Sequence, residues 1–155
     1  MTKSVRDFLI EAKRHTYAAQ GDNASVVPLL PGSRQLEYGN ESLFYRDVYF
    51  GVAYFVGQET VYQKGQPYWS MSYAGGVDQA VTAMDEVRGI YAFLRAALRQ
   101  VSTEHIFRGP SNFRDGDYDY ENSFDGNFET FRGSEVIRQT GRIVYTLSYS
   151  GGVLR

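Results

Sequence analysis

"MSYAGGV", residues 71–77, closes a strand-like run in the middle of this chain, and "LSYSGGV", residues 147–153, closes another. The two phrases match at an offset of 76 without a gap: Phe55 falls on Phe131, Gly57 on Gly133, Glu59 on Glu135, Gln63 on Gln139 and Gly65 on Gly141. Ten of the 23 positions from 55 to 77 are identical, where chance at ordinary composition would give about one or two. Others are alike in kind, such as Val61 with Ile137, Trp69 with Tyr145 and Met71 with Leu147. With one residue of slippage "YRDVYFG" (45–51) lies over "YENSFDG" (120–126), and further upstream "FLIEA" (8–12) resembles "FLRAA" (93–97). The chain therefore reads as two copies, about 4–77 and 82–153, of one unit: a helix, a loop and an antiparallel meander. Two copies are too few for a solenoid and suit one domain, 1–155, with internal pseudo-twofold symmetry.

Apolar spacing supports the unit. Val5, Phe8, Leu9 and Ala12 share one helical face, and Ser4 with Asp7 makes a capping-box-like start to a helix over about 4–18. Val87, Tyr91, Leu94, Leu98 and Val101 stripe a second helix over about 82–102, with Thr82 and Asp85 as its cap. In "YWSMSY" (68–73) Trp69, Met71 and Tyr73 point one way, and in "IVYTLSY" (143–149) Ile143, Tyr145, Leu147 and Tyr149 take the matching face. "KGQ" (64–66) and "TGR" (140–142) read as tight turns. So do the glycines of "FVGQETV" (55–61) and "FRGSEVI" (131–137), with Glu59 and Glu135 capping them. The glycines of 75–76 and 151–152 read as the points where the chain leaves the sheet. The expected fold is α+β: two helices packed on an extended, twisted antiparallel sheet, or on two apposed ones. Two long linkers, 21–41 and 105–123, flank a shared cleft in this reading, since long loops in compact domains tend to carry function or disorder.

Composition excludes more than it identifies. The 155 residues carry a formal net charge of −2, with 43% hydrophobic and 22% charged residues. That balance fits an ordinary globular chain and offers no footprint for nucleic acid. Arg132, Arg138 and Arg142 read as a solvated hairpin edge rather than a phosphate-binding patch. No cysteine is present, and His15 and His105 are too far apart in sequence to suggest a ligand pair. No apolar run approaches a membrane span and the N-terminus lacks a signal-peptide core, which points to a cytoplasmic protein with no membrane contact. No P-loop, dinucleotide fingerprint or nucleophile elbow appears, so no cofactor is expected. "DGDYDYENSFDGN" (115–127) lacks the ordered ligands of a calcium loop and fits an acidic hairpin. Tyrosine stands out, at 13 residues against one tryptophan.

Repetition also sorts the candidates. Glu59 and Glu135 tempt as an acid/base pair, but a repeated position is more simply explained by repeated structure. Better candidates break the symmetry. "YRD" (45–47) becomes "YEN" in the second copy, which singles out Arg46 and Asp47 beside the shared Tyr45. Trp69, with tyrosine as its counterpart, suits either a core or an aromatic pocket wall. Arg108 stands beside a rigid Gly-Pro turn where it could clamp an anion. The expected ligand-binding residues are thus Tyr45, Arg46, Asp47, Trp69 and Arg108, with no catalytic or metal residue assigned.

The stretches "LLPGSRQLEYGN", "YRDVYFG", "FVGQETVY", "YWSMSYAGG", "FRGP" and "YSGGV" resemble an uncharacterised bacterial domain family, found alone or behind an XRE-type helix-turn-helix. The resemblance implies a small domain with a sensing role in its fused members. This chain starts directly at the first helix, so a regulatory role would need a separate DNA-binding partner. Three classes stay open: a non-catalytic small-molecule-binding or sensor-type domain, favoured by the tyrosine excess; a protein-interaction module or homodimer; and an enzyme using Glu59, Asp47 or His15.

Overall fold

The computed structural model describes residues 4–16 and 25–155. Helix α1 (Val5–His15) opens on Ser4, whose Oγ accepts the Asp7 amide at 3.2 Å, the expected cap. Ala18, where the sequence pattern ends this helix, lies outside the described residues. Helix α2 (Met84–Leu98) is shorter than its apolar stripe, and Ala83, not Thr82, holds the N-cap position without a side-chain bond. Thr82 lies one residue too early to cap it.

Nine strands form one antiparallel sheet. They are β1 (Ser25–Val26), β2 (Arg34–Gly39), β3 (Leu43–Gly51), β4 (Tyr54–Gln63), β5 (Gln66–Val77), β6 (Asn112–Asp115), β7 (Tyr118–Asn127), β8 (Thr130–Gln139) and β9 (Arg142–Val153). The spatial order is β1-β2-β3-β4-β5-β9-β8-β7-β6. Two meanders thus meet at a central β5–β9 ladder in which Tyr73 lies opposite Tyr149. Both expected linkers contribute strands: β1 and β2 fall within 21–41, β6 and the start of β7 within 105–123. The acidic stretch forms the β6–β7 hairpin.

The turns at 64–65 and 140–141 are as read from the sequence. Lys64 and Gly65 have φ of 52° and 78°, Thr140 and Gly141 50° and 81°, the left-handed pair that joins two-residue hairpins. The other glycine readings need correction. Gly57 and Gly133 lie inside β4 and β8, not in turns, and Glu59 and Glu135 face the core with no exposed surface. The reason is a close approach. A Cβ on Gly57 would stand 2.4 Å from the Tyr73 hydroxyl, and one on Gly133 2.4 Å from that of Tyr149. Each tyrosine ring crosses its neighbouring strand where only glycine leaves room. Gly57→Ala is expected to cost about 1–3 kcal/mol by overpacking. Urea denaturation would measure it, and a change within experimental error would refute the ring crossing. Gly75, Gly76, Gly151 and Gly152 likewise remain within β5 and β9 and do not end the strands.

Both helices cover one face of the sheet. Trp69, Met71, Tyr73, Tyr145, Leu147 and Tyr149 are all buried there, as the alternation predicts. Ile143, expected on the same face, is 46% exposed, because the β8–β9 register shifts between Ile137 and Arg138 and breaks the alternation at that end of the ladder. From α1, Phe8, Leu9 and Ala12 are fully buried in this core. From α2, Tyr91 meets the rings of Phe55 and Tyr145, and Phe93 those of Phe113 and Tyr118. Trp69 stacks against Phe128 and Phe131, each at 5.7 Å. No helix among the described residues is long and apolar enough to cross a membrane.

Candidate functional site

Strand alternation turns Tyr45, Asp47 and Tyr49 of β3 toward the helices and Arg46 away from them. Asp47 lies opposite Glu59 in the β3–β4 ladder, so two carboxylates share the inner face at 2% and 0% exposure. Such groups are retained in a core only when partners compensate them. Tyr73, passing over Gly57, donates its hydroxyl to Asp47 Oδ1 at 2.6 Å. Lys13 of α1, itself fully buried, places Nζ 3.4 Å from Glu59 Oε2.

The other meander answers its glutamate differently. Glu135 Oε1 accepts Arg108 Nε at 3.0 Å, Arg108 Nη2 at 2.6 Å and the Tyr145 hydroxyl at 2.6 Å, while Oε2 accepts Tyr120 at 2.6 Å. Where the first meander has Asp47, the second has Asn122. It accepts the Tyr149 hydroxyl at 2.7 Å and donates to the Gly109 carbonyl at 2.9 Å. The tyrosine bond is thus the same in both halves, and an amide satisfies it without a charge.

Burial, and then the charge of Glu59, push the Asp47 carboxyl from 3.8 up to about 8, against the pull of Tyr73, Arg108 and Lys13. The shift favours the protonated carboxyl far above the pH at which a free aspartate ionises. Lys13 stands beside Glu59 and Arg108 beside Glu135, so each buried glutamate has one basic side chain against it. Burial also pushes the Lys13 amine down and the Tyr73 phenol up.

Beside this cluster lies a cleft of ≈ 250 Å³. Its sheet side is formed by Arg34 from β2, Asp47 and Tyr49 from β3, Phe55 from β4 and Tyr73 from β5. Tyr91, Leu94, Arg95 and Leu98 of α2 form the opposite wall, a run at helical spacing, and Arg108 reaches in from the loop that follows. The Tyr91 hydroxyl is held by the Ala53 carbonyl at 2.8 Å. The Arg108 guanidinium sits 5.6 Å over the Tyr73 ring, so one residue serves both Glu135 and the cleft.

Of the five residues expected at a site, Asp47 and Arg108 line the same cleft. Tyr45 and Trp69 are fully buried in the core. Arg46 lies on the outer face, 3.0 Å from Glu37, and does not meet Asp47. His15 stacks on Tyr38 at 4.7 Å and bonds the Glu11 carbonyl, apart from Asp47 and Glu59. Arg34, Tyr49, Tyr91 and Arg95 were not among the expected site residues. The helical stripe through Tyr91, Leu94 and Leu98 was their one sequence signal. Among the described residues no group of three or more His, Asp or Glu side chains could hold a metal ion.

A family model for a domain of unknown function, DUF5680, matches residues 47–154. The chain belongs to the DUF5680 family. The DUF5680 match opens on Asp47 and takes in Glu59, Tyr73, Arg108 and Glu135, while Lys13 and Arg34 precede it. No curated protein and no solved structure matches the chain.

Proposed function

We propose that this protein is a non-catalytic small-molecule-binding domain whose ligand occupies the cleft between α2 and the first meander. One observation carries the reading: a buried acid, Asp47, lines a concave aromatic site at a position where the matching asparagine, Asn122, makes the same tyrosine bond at no charge cost. Perturbed titratable groups cluster at functional sites, and one that lines a concave apolar pocket marks a candidate binding site. The internal repeat belongs to the same reading. One ancestral unit written twice accounts for the mirrored strand order, the paired turns and the two glycine–tyrosine crossings, and the cleft opens where the copies differ. A sensing role would be exercised through this cleft.

A thermal-shift screen with a metabolite library tests the proposal. A ligand at a hundredfold excess over its Kd adds about 3 kcal/mol, which raises Tm by roughly 5–10 °C for a chain of this size. Amide shifts on binding should gather at Tyr49, Phe55 and Tyr91. A library without a stabilising compound, or shifts elsewhere, would count against the cleft.

A second reading, protein docking, is favoured by the β3–β4 hairpin tip beside the cleft. There Phe50, Val52, Tyr54 and Val56 are 44–63% exposed. Light scattering across a concentration series would reveal a homodimer formed through that tip.

A further inference from the structure

We propose that the cleft recognises an organic anion: a planar apolar body against Phe55, Tyr91 and Leu94, with its carboxylate or phosphate group taken by Arg34 and Arg95. This rests on the binding reading above and names its ligand class.

The charge balance of the lining points this way. Its charged residues are Arg34, Arg95 and Arg108 against a single acid, Asp47. Arg108 is committed to Glu135 by two hydrogen bonds. Arg34 and Arg95, like Arg6, Arg14 and Arg132, have no carboxylate partner among the described residues, and of these five only Arg34 and Arg95 line the cleft. Two unpaired guanidinium groups at the rim of one concavity make a receptor for a planar anion, because each presents a fork of donors that matches carboxylate or phosphate oxygens. Both are exposed, so neither pays a burial cost before a ligand arrives.

The walls set the rest of the ligand. Tyr91 is fixed by its bond to Ala53 and by edge contact with Tyr145 at 6.3 Å, and Phe55 packs on both Tyr73 and Tyr91. A rigid aromatic wall of this kind favours a flat ring over a flexible chain, since little side-chain freedom is lost on binding. Asp47, the one acid of the lining, is buried and covered by its bond from the Tyr73 hydroxyl.

Phenylacetate, phenyl phosphate, phenylacetamide and phenethylamine, titrated separately and followed by amide NMR, give the test. The two acids should bind at the cleft, with the amide and the amine weaker by about tenfold or more. Arg34→Gln and Arg95→Gln, both at exposed positions, should each weaken the acids by about tenfold while leaving the thermal midpoint and the amide's affinity unchanged. A preference for phenyl phosphate or for phenylacetate would assign the anionic group. Equal binding of acid and amide, or tighter binding of the amine, would overturn the anion while leaving small-molecule binding intact. Absence of binding by all four probes, with no cleft shift from the library screen either, would overturn both.

Discussion

Arg108→Ala is expected to destabilise the fold by about 3–5 kcal/mol, the cost of leaving a buried carboxylate without its cation. Glu135 is fully buried, and both Arg108 bonds to it end on Oε1. Two tyrosine hydroxyls would remain on Glu135, but they supply dipoles, not charge. Arg114→Ala is the control. Its pair with Asp119 is largely exposed on the arginine side, at 76%, and should be worth no more than about 1 kcal/mol. Urea midpoints of the two variants would separate the cases. Combining Arg108→Ala with Glu135→Gln should recover part of the loss, because the second change removes the stranded charge. Similar costs for Arg108→Ala and Arg114→Ala would mean that Glu135 is not sealed from water.

Asp47→Asn should move stability the other way. In the unfolded chain an aspartate releases its proton near pH 3.8, whereas folded Asp47 keeps it to about pH 8. Between those values the unfolded state gains an ionisation that the folded state is denied. Native stability therefore falls as pH rises across that window, at about 1.4 kcal/mol per unit for this one group. The groups that set the folded value surround it: Glu59 from β4 raises it, while Tyr73 from β5, Arg108 from its loop and Lys13 from α1 lower it. Asparagine has no proton to lose, and Asn122 shows that its amide accepts the tyrosine bond. Asp47→Asn should thus be more stable than the wild type at pH 7 by about 2–4 kcal/mol, with the two converging toward pH 4. Parallel pH profiles would show that Asp47 is ionised in the folded state. A stability gain from so small a change would show that the fold does not require the carboxyl.

The sheet and its helices were legible because alternation and helical spacing are properties of neighbouring residues. Trp69, Met71 and Tyr73 announce their shared face, and Lys64-Gly65 announces its turn, within a few positions of sequence. The glycines before Glu59 and Glu135 misled for a physical reason. A turn and a ring crossing both demand a missing Cβ, and only the ladder tells that Tyr73 and Tyr149 cross there. The constant 16-residue spacing from Gly57 to Tyr73 and from Gly133 to Tyr149 was the available clue. Asp47 was singled out because the second "YEN" stretch has asparagine there, and Arg108 because a Gly-Pro turn follows it; both line the cleft. Arg46 was drawn in by adjacency, which in a strand places a residue on the opposite face. Arg34 and Arg95 escaped notice because nothing local links the first residue of β2 to a turn of α2. Only the packed sheet brings them to one cleft.

The central place of β9 governs how the chain must assemble. β9 follows every other strand in sequence yet lies between β5 and β8. During synthesis the five-stranded first meander is made well before it, and β5 then presents an unpaired edge some twelve residues long. Such an edge is a template for pairing with another chain. The ladder that closes it joins residues 69–77 to 145–153, so its contacts span about half the chain and form slowly. Newly made protein is most exposed to aggregation in that interval, and chaperone dependence should fall once residues 142–153 have been added.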